Sequence, residues 1–70
     1  MANNPKPQHP YIDDAVADAI EYVVTMEHVH SPQDVRKVVQ RGARRVAGHY
    51  GLRQAERRWV VGTVCHRLGV

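Results

Sequence analysis

The stretch RKVVQRGARR, residues 36–45, sets five cationic side chains among ten positions: Arg36, Lys37, Arg41, Arg44 and Arg45. A guanidinium fork grips carboxylate and phosphate oxygens with two parallel hydrogen bonds, so a run of this kind is chemistry for a polyanion. At about 100° per residue on a helix, Val35, Val38, Val39, Ala43, Val46, Ala47 and Tyr50 gather on one side and the five cations on the other. The expected result is a solvent-facing basic strip. Arg53, Gln54, Arg57 and Arg58 extend it past a glycine-containing turn, in the order of a helix-turn-helix whose second helix would present Arg53, Gln54 and Arg57 to guanine and adenine edges. Two features oppose that motif and that function. The preceding helix is about four turns long, which is more than a positioning helix needs, and a basic face can simply be solvated or paired with an acidic neighbour.

Histidine and cysteine form the second constellation, His28 and His30 in HVH and Cys65 and His66 in CH. Two imidazoles, a thiolate and a third imidazole make a tetrahedral zinc set, but gaps of one and zero residues depart from structural zinc spacings. Histidines at helix C-termini are favourable by the helix dipole alone, so no metal and no cofactor is expected. Cys65 as a nucleophile with His66 as its base is disfavoured too, because neighbours on a helix point about 100° apart. A buried thiol acting as a small hydrophobe is the plainer expectation, and a chain of 70 residues has little room for a catalytic cleft. No enzymatic role is expected.

A third feature is a surplus of apolar surface. Val61, Val64 and Leu68 fall to a different side of their helix from Leu52, Ala55 and Trp59. With Tyr22, they suggest a face for a protein partner or for a second copy of the chain, because a helix apolar on two sides wants two neighbours.

The elements that must position these residues are helical. Ile12, Ala15, Val16, Ala19, Ile20, Val23 and Val24 recur at spacings of three and four, which predicts a helix over about 11–28 with Asp13, Asp14 and Asp18 near its positive end. Ser31, Pro32 and Asp34 announce a second helix, with an N-cap hydroxyl, a proline at the first position and an acid in the first turn. It is expected to run over about 32–48, stopped by Gly48 or Gly51. A third helix over about 52–68 begins with strong helix formers in LRQAERRW. Its later part, WVVGTVC, is β-branched enough to be a strand, yet a lone strand in a helical chain would have no partner for its backbone. The fold class predicted is all-α, a small three-helix bundle over 11–70 with Trp59 in its core. Residues 1–10, which hold three prolines, form a flexible lead-in.

Charge divides the chain more sharply than its net +3 suggests. Residues 1–30 set Lys6 against Asp13, Asp14, Asp18, Glu21 and Glu27; residues 31–70 set nine cations against Asp34 and Glu56. Arginine outnumbers lysine eight to two, a bias that suits phosphate and equally reflects a GC-rich genome. The N-terminal residues lack the apolar core of a signal peptide, no apolar run approaches membrane-spanning length, and Cys65 is the sole cysteine. The expectation is a cytoplasmic protein with no membrane role. The first functional reading is a nucleic-acid-binding protein holding phosphates on its arginine face. The alternative is a non-enzymatic adaptor or inhibitor, with a homodimer as one form of it, that works through Tyr22, Val61, Val64, Leu68 and the acidic first helix.

Overall fold

A computed structural model describes residues 5–26 and 31–70. They form three helices, α1 (Ile12–Val24), α2 (Pro32–Tyr50) and α3 (Gln54–Leu68), and no strand occurs among them. Each helix packs against the other two, which makes the three-helix bundle that the periodicity predicts.

The helix ends follow local chemistry. At the start of α2 the Ser31 hydroxyl oxygen accepts from the Asp34 N–H at 3.2 Å, and Pro32 takes the first helical position, where its missing N–H leaves nothing unpaired. At its end Gly51 adopts φ +67°, and the N–H groups of Gly51 and Leu52 both donate to the Ala47 carbonyl. The helix therefore passes through Gly48 and stops two residues later than expected. A left-handed residue is needed once, and Gly51 supplies it.

α1 is shorter than the expected span of about 11–28. It ends at Val24, and the Thr25 hydroxyl donates to the Tyr22 carbonyl at 2.9 Å. Val23, Val24 and Thr25 are β-branched in succession, and a threonine hydroxyl competes for the carbonyls that would carry the helix onward. Glu27 and His28, the expected end, lie outside the described residues. α3 begins at Gln54 rather than at Leu52, after an extended Arg53 whose backbone N–H is taken by the Glu56 carboxylate at 2.7 Å. The β-branched stretch is helical to Leu68, and Gly69 at φ +73° closes it with the Val70 N–H on the Cys65 carbonyl.

The core corrects two expectations about α3. Its fully buried large side chains are Val16, Val39, Val60 and Val64, with Ile12, Val23 and Val46 around them. Trp59, expected as the anchor, is half-buried at the rim. Val64, expected on a surface for a partner, has no exposure at all. Both follow from the small residues on the facing helices: Ala15, Ala19, Gly42 and Ala43 are buried, so the helices approach closely and leave space for valines but not for an indole. Gly42 marks a close approach of α2 to α1. A Cβ there would meet Tyr22 Cδ1 at 3.0 Å and the Ala19 carbonyl oxygen at 3.5 Å.

Residues 5–10 carry no regular structure but touch α1. Lys6 Nζ lies 2.8 Å from Asp13 Oδ2, and the Ile12 N–H donates to the His9 carbonyl at 3.2 Å. No helix among the described residues is long and apolar enough to cross a membrane.

Candidate nucleic-acid interface

The arginine strip is a direct product of α2's amphipathicity. Val39, Gly42, Ala43 and Val46 turn inward, and Arg36, Lys37, Arg41, Arg44 and Arg45 are all exposed on the other side. From Arg36 to Arg45 the strip rises about 14 Å along the helix, a length over which one strand of a duplex carries about four phosphates.

Pairing with the acidic first helix is the arrangement that would spoil this surface. Among the described residues the ion pair present is Lys6 with Asp13, and both of its members are exposed. None of the five strip cations is joined to a described carboxylate. Asp18 accepts instead from the Tyr50 hydroxyl, and Glu56 is held at the start of α3 by the Arg53 backbone. α1 meets α2 through alanines and Gly42, so its acids Asp13, Asp14, Asp18 and Glu21 stay on its solvent side.

Concave surface lies on both edges of α2. On the α3 side, Ala47, Leu52, Arg53, Gln54 and Arg57 line a depression of about 260 Å³. The three side chains expected to read bases are thus brought together, although Arg57 is half-buried there while Arg53 and Gln54 are exposed. Arg58 is exposed, one residue on and about 100° around the helix. On the α1 side, a cleft of about 480 Å³ runs between Asp18, Glu21 and Tyr22 on one wall and Arg45 and His49 on the other, with Val46 at its base. Sequence reasoning missed this cleft. The available signal was Gly42 inside an otherwise strong helical pattern, which marks a close approach to another element.

The remaining candidates separate. Cys65 is half-buried, and burial pushes its thiol up against a smaller opposing pull from the Arg36 guanidinium, so at neutral pH it is a thiol rather than a ready nucleophile. His66 is exposed. His28 and His30 lie outside the described residues, and within those residues no three metal-ligating side chains converge. Of the expected partner face, Val64 is core, Val61 and Leu68 are half-buried against that core, and Tyr22 lies over Gly42 in the α1–α2 cleft. Val64 is therefore lost from that face, while Val61 and Leu68 keep part of their surface exposed. Comparison with protein-family models, with curated proteins and with solved structures finds no match to this chain.

Proposed function

We propose that this chain is a small nucleic-acid-binding protein that holds phosphates on the exposed face of α2, with Arg53, Gln54, Arg57 and Arg58 extending the surface. One observation carries the reading: five cations share one helix face, and among the described residues none of them forms an ion pair with a carboxylate. As stability devices, exposed ion pairs are worth about 0 to 1 kcal/mol each, so concentrating unpaired arginines does nothing for the fold. Its value lies in attracting an anion from solution. No catalytic step belongs to the proposal, and a reducing, cytoplasmic setting suits the single free thiol.

The test is fluorescence anisotropy of a labelled duplex DNA and a labelled single-stranded RNA at several salt concentrations. Binding with a logarithmic salt slope of roughly −3 to −5 is expected, equivalent to about three to five phosphates engaged. Combined Arg41→Glu, Arg44→Glu and Arg45→Glu substitution should abolish it with the helical circular dichroism intact. Unchanged affinity in that variant overturns the proposal. The protein-interaction reading, with homodimer formation as one form of it, loses Val64 as a contact and rests on the acidic face of α1.

A further inference from the structure

The cleft between α1 and α2 is lined by more kinds of chemistry than a phosphate strip requires. Arg45 belongs to the strip and also forms part of the cleft wall, so a strand lying on the strip passes the cleft mouth. Tyr22 and His49 present two rings. Tyr22 is fixed over Gly42, where a Cβ would stand only 3.0 Å from its ring, and His49 is held edge-on to Tyr50 with ring centroids 4.7 Å apart. Glu21 is exposed at the same cleft, and Asp18 already accepts from the Tyr50 hydroxyl. At about 480 Å³ the space lies within the roughly 300–1,000 Å³ typical of small-ligand sites.

From this geometry, and resting on the nucleic-acid reading above, we infer that the cleft accepts an unpaired guanine of a single strand whose phosphates lie on α2. Carboxylates beside the cleft repel a phosphate ribbon, so an intact duplex gains nothing from it. A neutral base does not suffer that repulsion, and aromatic rings stack bases of any kind. Guanine is singled out by its Watson–Crick edge, where N1–H and the N2 amino group lie side by side and match the two oxygens of one carboxylate. Glu21 is the acceptor for that pair, since Asp18 is occupied. Adenine, cytosine and thymine offer one such donor site each, and in a duplex the edge is already paired.

The experiment is anisotropy with short labelled oligothymidylates, one plain, one carrying a single central guanine and one carrying hypoxanthine in its place, alongside a duplex of equal length. A single guanine should tighten binding about tenfold, in line with the contribution of one stacked, recognised base, with hypoxanthine in between. Glu21→Gln should bring the plain and guanine-bearing strands within about twofold of each other without loss of helicity. Equal affinity for both strands in the unmodified protein overturns the base cleft while leaving the arginine strip intact. So does a guanine preference that survives Glu21→Gln, or duplex binding as tight as that of the guanine strand. Failure to bind any strand or duplex overturns the strip and the cleft together.

Discussion

The Tyr50 hydroxyl joins the last residue of α2 to the middle of α1 by donating to the Asp18 carboxylate. Tyr11 stacks on the same ring, with centroids 5.8 Å apart. The hydrogen bond to an anion holds the proton on the phenol, aided by desolvation and by the charges of Asp18 and Asp14, and its pKa is pushed up from 10.0 to about 12. A raised folded-state value means that the neutral phenol is the form the fold favours. The stabilisation it brings is present in full below about pH 10 and is lost as pH rises through about 12. An ultraviolet titration of phenolate should therefore contain a late fraction centred near pH 12 that disappears in Tyr50→Phe. A titration unchanged by that substitution would remove the Tyr50 to Asp18 bond from the account. This bond was not legible in the sequence, and Gly42 signalled a close approach without naming what approaches, because each depends on which residue of another helix stands opposite. Spacing along one helix carries no information about that.

At the scale of the elements, legibility followed the strength of local signals. The start of α2 could be read from Ser31, Pro32 and Asp34 because a cap is a contact over three residues, and Ser31→Ala should lower stability by about 1 kcal/mol in urea denaturation. The end of α1 expected at about 28 falls too late, although the apolar stripe itself stops at Val24, where β-branching and the Thr25 hydroxyl end the helix. α3 was harder for a different reason. Its apolar residues are spread round the helix, so the inward face is chosen by what the partners can accommodate, and small residues on α1 and α2 select Val60 and Val64 over Trp59. A comparison of two aspartates tests that selection. Val64→Asp buries an unpaired charge and should lower stability in urea denaturation by about 3–5 kcal/mol, a large part of the roughly 4–10 kcal/mol expected of a chain this size. Val61→Asp, placed where the side chain is half-buried, should stay folded by circular dichroism. The opposite order would mean that α3 is turned about its axis relative to the arrangement described here.

Considered whole, the molecule is electrically two-sided. α1 turns Asp13, Asp14, Asp18 and Glu21 to solvent, while α2 turns five cations outward. The division between the two halves of the chain was visible in the sequence, but whether the halves cancel was not, since that depends on which faces the helices use to meet. Because α1 and α2 meet through alanine, glycine and valine, the two fields persist side by side. Under the proposed phosphate-binding role, a polyanion approaching α2 is attracted by the strip and repelled by the acids beyond it, an arrangement that would orient the complex as well as bind it. Asp14→Asn removes one repelling charge and, unlike Asp13, has no lysine across from it, so the substitution touches the field without breaking an ion pair. It should strengthen DNA binding about two- to fivefold at low salt, an effect that fades as the screening length shrinks from about 30 Å at 0.01 M to about 10 Å at 0.1 M. The number of phosphates displacing counterions is set by α2 and does not change, so the salt slope should stay close to that of the unmodified protein apart from this low-salt gain. A gain that persists unchanged at high salt would mean that Asp14 lies within contact distance of the bound strand. That outcome would move the interface from the face of α2 to the edge it shares with α1.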